Sequence, residues 1–349
     1  MPRTPFNIPT GKIKLAAQMV ERVLDGDQIA AATFRESMST SDFPLAFSQV
    51  VNLNLLPQYQ AATPVWNQFA TRRTVSDFNN VRFLDIVGNY ENLAHAGTQP
   101  AGTLPIVPEL SPFPYVSLTS SETNINIAKR GLKLGYSWEE AKQDVYGFLS
   151  DFVPTLSQVA VDTEDAVATA ALTDGLTAFS QLAGNPVLTL DTLETAIQSV
   201  RLRRINGRPV RSNSFVLMVP PALEFTARNI VNITQIERTV GNDTFLVNNT
   251  VQGVTIVVNE WLDTDTEWYV LPAPGATVRP SVIQAFLAGY ETPELRVSGL
   301  QGGYYPGGQD VPWSEGSFDN DSIDFRLKTV GGAGLVSEEA IAWSTGAGA

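Results

Sequence analysis

Residues 135–175 read GYSWEEAKQDVYGFLSDFVPTLSQVAVDTEDAVATAALTDG. Val145, Phe148, Leu149, Phe152, Leu156, Val159, Ala160, Thr163, Ala166, Val167 and Ala170 recur there every three or four residues, the period of one face of an α-helix. Ser137 with Glu140 makes a capping box that starts such a helix, and Asp174-Gly175 marks its end. The expectation is a long amphipathic helix. Pro154 either kinks it or sits in the first turn of a second segment.

On the N-terminal side of this helix the period changes to two. Between Val116 and Tyr136, Ile125 and Ile127 alternate with Asn124 and Asn126, and Leu132, Leu134 and Tyr136 continue the alternation, which reads as a long strand or a strand pair. Before it, NVRFLDIVGNYENLAHAGTQPAGTLPIVPELSPFPYVSL (residues 80–118) has strand-like ends around a middle rich in Gly, Pro, Ala and Thr. A connection of that length is unusual inside a compact domain. Folded as a hairpin, each arm of roughly 19 residues would reach about 60 Å at ~3.3 Å per residue, farther than a small domain is wide. Contacts outside its own subunit are the expected explanation. Residues 1–79 hold a helix candidate from Ile13 to Met38 and then a segment interrupted by Pro44, Pro57 and Pro64. Its apolar groups, Phe43, Leu45, Phe47, Val50, Val51, Leu55, Val65, Trp66 and Phe69, cannot form a core by themselves. They read as an arm laid across its own domain or a neighbouring subunit.

On the C-terminal side, residues 185–310 read as a separate α/β unit. A helix from Thr192 to Arg204 precedes the apolar strand Phe215–Val219, followed by strands at Val254–Val258 and Trp268–Leu271 joined across Asp263-Thr-Asp265. After the glycine-rich GLQGGYYPGGQD, alternation returns at Ile323, Phe325 and Leu327 against Asp324, Arg326 and Lys328. Two glycines follow, then GLVSEEAIAW. A strand so amphipathic needs a partner, so it is expected to rejoin an earlier sheet and leave the first domain discontinuous.

Composition limits the chemistry. The 349 residues contain no cysteine and one histidine, which removes disulfides, thiol nucleophiles and multi-histidine metal sites. His95, in the long loop, is the one imidazole available to a catalytic triad and has no fixed neighbours in sequence. Charged residues make up 17%, below the roughly 25% of an average soluble protein, as expected of a chain with less free surface. The net charge of −13 argues against gripping nucleic acid through a general basic face. No phosphate-cradling glycine motif is present. Asp319-Asn-Asp321-Ser-Ile-Asp324 lacks the glycine and glutamate positions of a calcium loop and reads as a solvated turn. Glu139, Glu140, Asp191 and Glu194 stand at helix starts, where carboxylates favour the dipole. No catalytic, cofactor or metal residue is therefore assigned. Arg201, Arg203, Arg204, Arg208 and Arg211 form the one basic cluster, suited to nucleic acid or to an acidic patch on an adjacent subunit. Tyr90, His95, Arg201, Arg203 and Arg204 are taken as candidate subunit contacts. The N-terminus lacks the uninterrupted apolar core of a signal peptide, and no membrane association is expected.

The order of parts, an arm, a long hairpin, a strand into a long helix, an inserted α/β domain and a return strand, resembles the major capsid protein of tailed double-stranded DNA bacteriophages, whose fold encapsulins share. The segments GYSWEEAKQDVYGFLSDFVPTLSQVAVDTEDAVATAALTDG and DFRLKTVGGAGLVSEEAIAW carry the resemblance most specifically. It implies an α+β fold with an N-terminal arm (1–79), an extended loop (80–118), a peripheral domain with a spine helix (119–184 and 311–349) and an axial domain (185–310). It further implies a structural, non-enzymatic subunit that self-assembles as hexamers and pentamers into an icosahedral head. Implied partners are scaffold, portal and cement proteins, with packaged DNA touched non-specifically at the inner face. The virion is the implied location, with assembly in the host bacterial cytoplasm. Within the same fold an encapsulin-like compartment is the alternative, and an enzyme with a lid loop is a further one. Some relatives crosslink through a lysine in the extended loop, but residues 80–118 contain none.

Overall fold

A computed structural model of the chain describes residues 62–79, 125–137, 148–205, 208–240, 243–298 except 250 and 252, and 317–348, together with Tyr59 and short stretches at 87–88, 106–107, 109–113 and 118–119. It is an α+β structure of two compact units. One comprises Met1–Thr63, Ala128–Thr163 and Ala288–Gly331, the other Pro64–Ile127, Glu164–Leu287 and Gly332–Ala349. The helix expected at Ile13 to Met38, the broken segment with Pro44 and Pro57, and Glu140 of the capping box lie outside the described residues.

The second unit is organised around one strand. In chain order its elements include β1 (Ala70–Val75), β2 (Val87–Gly88), β3 (Leu118–Thr119) and, beyond the first unit's β4 (Ala128–Ser137), the C-terminal part of α1 (Phe148–Thr173). They continue with α2 (Leu190–Leu202), β5 (Arg204–Ile205), β6 (Arg208–Pro209), β7 (Phe215–Val219), α3 (Glu224–Asn232), β8 (Gln235–Val240), β9 (Asp243–Asn248), β10 (Thr255–Val258), β11 (Trp268–Pro272) and β12 (Val282–Leu287). All five residues of β7 are buried. Phe215, Leu217 and Val219 meet Leu193, Ala196 and Val200 of α2 and Ala227 and Ile230 of α3. Val216 and Met218 meet Ala168 and Leu172 of α1, Trp66, Phe69, and Val282 and Phe286 of β12. A strand covered on both faces must be apolar at every position, which is why Phe-Val-Leu-Met-Val shows no alternation.

The strands on either side of β7 correct one expectation. The segments at 254–258 and 268–271 do not pair with each other across the Asp263-Thr-Asp265 turn. β7 lies between them, parallel to β10 and antiparallel to β11. β7 already offers two unsatisfied edges and two apolar faces, so placing it centrally buries all of it, whereas a β10–β11 hairpin would leave it at an edge. The far side of β11 takes β15 (Ala342–Ser344), antiparallel.

The last part of the N-terminal segment belongs to its own chain. Val65–Gln68 forms a 3-10 turn, and β1 then pairs parallel with β12, Ala70 opposite Val282. Trp66 and Phe69 are 2% and 3% exposed. For this stretch the structure selects the intrachain alternative.

α2 begins two residues earlier than its periodicity suggests because Thr189 is the cap. Thr189 and Thr192 exchange the two reciprocal bonds of a capping box, threonine taking the position usually held by glutamate. Pro154 stands inside α1 without dividing it.

In the first unit, β4 runs antiparallel along β14 (Ser322–Leu335), from Ser137 opposite Ser322 to Ala128 opposite Gly331. β13 (Glu294–Val297) takes the other edge of β14, Glu294 opposite Lys328. Leu295, Phe325 and Leu327 are buried on one face, which accounts for the alternation read from 323 to 328. The glycines after it do not end the strand. A Cβ on Gly131 would lie 2.4 Å from the Leu327 carbonyl oxygen, and in the second unit one on Gly332 would lie 2.1 Å from the Asn126 carbonyl oxygen. Glycine there permits backbone contact rather than a turn.

Candidate assembly surfaces

β2 and β3 close the base of the long connection, Val87 opposite Thr119 and Gly88 opposite Leu118, antiparallel. The connection is therefore a hairpin at its base. Beyond it, Ile106, Leu110 and Phe113 are 74%, 102% and 81% exposed. Burial of each such side chain is worth about 1.5–3 kcal/mol, and here that remains ungained within the chain. Leu110 takes a positive φ of 60°. Tyr90 and His95 lie outside the described residues.

The arginine cluster divides by role. Arg203 follows α2 with extended backbone, and its Nη1 donates to the carbonyl oxygens of Glu339 at 3.0 Å and Ile341 at 2.6 Å. Its guanidinium stacks over Phe179 at 4.9 Å. Burial pushes its pKa below the ordinary value, opposed in part by the nearby Glu338 carboxylate. Glu338 in turn accepts from the Thr177 backbone N–H and hydroxyl at 3.0 and 2.7 Å and from the Ser180 hydroxyl at 2.9 Å. This side chain thus ties the segment before β15 to the end of α2. Arg201 and Arg204 remain exposed. Arg201 stacks on Phe215 at 5.6 Å and, with Glu194, Ile197, Phe215, Val251 and Val254, lines a cleft of about 450 Å³. Arg203→Ala should orphan two carbonyls and lower stability by about 2–3 kcal/mol, measured by urea unfolding, with Arg203→Lys recovering only part because an ammonium lacks the planar fork. A change below about 0.5 kcal/mol would refute this tie.

Among the described residues β8 and β9 pair only with each other, Gln235 opposite Asn248 through Val240 opposite Asp243. Leu246 and Val247, adjacent and therefore on opposite faces, are 67% and 39% exposed. A two-stranded ribbon of this kind is marginal by itself in water.

The acidic turn before β14 is built by the chain itself. The Ser317 N–H donates to the Ser322 carbonyl at 2.9 Å, Asp321 takes φ 48°, and Asp324 lies 2.6 Å from Lys133 Nζ. Among the described residues there is no group of three side chains arranged to hold a metal ion, and no helix is long and apolar enough to cross a membrane.

Sequence reasoning missed two buried carboxylates. Asp165 accepts the Trp66 backbone N–H at 2.8 Å, and Glu164 accepts its indole N–H at 3.1 Å. The available signal was an acidic pair within the apolar stripe of α1, beside Thr163 and Ala166.

Comparison with known proteins gives many structural likenesses, among them the following three. The holo-SrpI encapsulin complex from Synechococcus elongatus PCC 7942 is 10% identical, with 82% of this chain and 89% of that chain covered and a TM-score of 0.49. A virus-like particle from Pyrococcus furiosus is 12% identical over 84% and 97%, TM-score 0.47. The capsid of cyanophage P-SCSP1u is 13% identical over 80% and 87%, TM-score 0.48. No curated protein matches the chain. A family described as phage capsid protein matches residues 120–344. That span takes in β4, α1, the sheet around β7, and β14 through β15, so the chain belongs to the phage capsid protein family and is a structural shell subunit.

Proposed function

We propose that this subunit assembles as hexamers and pentamers into the closed icosahedral head of a tailed bacteriophage enclosing double-stranded DNA. The observation that carries this reading is the hairpin closed by β2 and β3, between which Ile106, Leu110 and Phe113 are largely exposed. Exposed apolar side chains of this kind favour a neighbouring subunit as their cover. In this reading residues 80–118 overlie the neighbour, 185–310 form the axial domain, 119–184 with 311–349 form the peripheral domain with α1 as its spine, and 1–79 are the arm. Tyr90, His95, Arg201, Arg203 and Arg204 serve as subunit contacts. Scaffold, portal and cement proteins are its partners, packaged DNA touches the inner face non-specifically, and assembly takes place in the host bacterial cytoplasm. The subunit catalyses no reaction.

Electron microscopy of the protein co-expressed with neighbouring phage genes tests this, with closed shells expected. Persistent monomer or dimer in sedimentation under all conditions would overturn it. Because residues 80–118 contain no lysine and the chain no cysteine, boiling such shells in detergent should release single 37.8 kDa chains. A ladder of multimers would show a covalent link that this chemistry does not provide.

A further inference from the structure

Strand pairing gives the sheet of the second unit two unlike ends. β7 and β10 run parallel, Val216 opposite Thr255 and Val219 opposite Val258, and β11 returns beside β7 with Pro272 opposite Phe215. The segments entering β7 and β10 therefore lie at one end. The connection 259–267 from β10 to β11 lies at the other, about 13 Å away along β7 at ~3.3 Å per residue. The first end holds the cleft of about 450 Å³, whose floor is Ile197, Phe215, Val251 and Val254 and whose wall includes Arg201. Arg204 and Arg211 stand two residues from the lining residues Leu202 and Asn213. All three arginines are exposed, and none is paired with a carboxylate among the described residues. The lining contains one carboxylate, Glu194, two turns of α2 before Arg201. The other end is acidic and carries an aromatic. Glu260, Asp263 and Asp265 are exposed, Trp261 is 46% exposed, and residues 259–267 contain no cation. Buried residues hold this loop at both feet. Asn259, 0% exposed, donates to Thr169 Oγ1 at 2.8 Å and accepts the Trp261 N–H at 2.9 Å. Glu267 accepts the Tyr269 hydroxyl at 2.9 Å and the Thr264 N–H at 3.4 Å.

A tryptophan left half in water forgoes the burial of one of the largest apolar side chains, and a loop fixed beforehand loses little freedom when it is bound. We propose that the Trp261 loop of one copy of the chain docks in the cleft between α2 and β7 of a second copy. The indole lies on the apolar floor, which has room for it, and Glu260, Asp263 and Asp265 face Arg201, Arg204 and Arg211. An aromatic anchor in a pocket inside a charged rim is the usual anatomy of an interface hot spot. Because loop and cleft stand at opposite ends of one sheet, a chain cannot fill its own cleft. Each copy instead offers one of each, and such a heterologous contact, repeated, closes rings. The net charge of −13 acts only weakly against this, since charges farther apart than about 8 Å are screened at physiological ionic strength while pairs in contact are screened much less. A phosphate backbone would satisfy the arginines but would leave Trp261 and its carboxylates uncovered.

This inference rests on the assembly reading above, and the test separates the two. The full-length wild type, Trp261→Ala, Trp261→Phe, Gln198→Trp and Arg204→Glu are compared by circular dichroism and by the critical concentration for shell formation in sedimentation, with nucleic acid content read from absorbance. Gln198 is exposed on the α2 wall of the cleft, so a tryptophan there fills the cleft without entering the core. Trp261→Ala and Gln198→Trp should each raise the critical concentration about tenfold or more, and Arg204→Glu about threefold, while Trp261→Phe keeps an aromatic anchor and stays within about threefold. If Trp261→Ala fails to fold, Gln198→Trp decides. Wild-type shells with unchanged assembly of folded Trp261→Ala or of folded Gln198→Trp would overturn this contact and leave the assembly reading standing. Normal assembly of Arg204→Glu with reduced nucleic acid content would assign the arginines to nucleic acid and also overturn it. Failure of the wild type to form shells at all would remove the assembly reading and this proposal with it.

Discussion

Deleting Ala94 to Thr103 is expected to leave a folded subunit that no longer closes shells. The cut lies between β2 and β3 and touches neither the paired residues Val87, Gly88, Leu118 and Thr119 nor any residue of the two cores around β7. The cut removes ten residues from the connection, up to about 33 Å of extended chain at ~3.3 Å per residue. It also displaces Ile106, whose exposure within the chain is 74%. Each apolar side chain that loses its cover weakens a contact by about 1.5–3 kcal/mol, roughly ten- to hundredfold in affinity. A shell repeats that loss at every subunit. Circular dichroism should match the parent, and microscopy should show no closed shells. Loss of folding would mean that the segment belongs to its own core, and normal shells would mean that it does not clamp a neighbour.

The second large effect concerns Trp66, which is 2% exposed and lies 5.7 Å from the Phe286 ring. Trp66→Ala should lower unfolding stability by about 3–5 kcal/mol through lost burial and the cavity left behind. Part of the cost is polar. The indole N–H reaches Glu164, which is 4% exposed, and removing a donor from a carboxylate so placed costs about 1–3 kcal/mol. Trp66→Phe keeps most of the ring and loses that donor, so a loss of about 1–2 kcal/mol is expected from it. The backbone bond to Asp165 survives both substitutions. Urea unfolding of the three proteins gives the comparison. A loss below about 1 kcal/mol for the alanine variant would show that the segment before β1 is not anchored through this residue.

Elements whose apolar pattern matches their period were legible in the chain. The unbroken apolar run of β7 was found at its observed bounds, and the alternation at 323–327 lies within β14. The C-terminal half of the long helix and the closure of the hairpin base were also legible, because periodicity and turn residues are local. The candidate assembly surfaces were legible only in outline. Residues 80–118 could be recognised as too long for their own domain, but the exposure of Ile106, Leu110 and Phe113 is a property of everything that fails to cover them. Arg203 was found as one of a basic cluster, with nothing in sequence to separate it from Arg201 or Arg204. Its role depends on carbonyls near Ile341, more than a hundred residues away.

By itself, then, the sequence determined that the segments of β4, β7, β10, β11 and β14 are strands and those of α1 and α2 helices, while β1, β8, β9, β12, β13 and α3 were not read from it. The tertiary structure alone decided the neighbours. β7 stands between β10 and β11, β15 closes the sheet beside β11, and Arg296, Arg326 and Lys133 fall into one row. The physical reason is that an apolar period states which face seeks cover and leaves open which strand supplies it. That choice is made by closing long loops so that every edge and face of the core is satisfied at once.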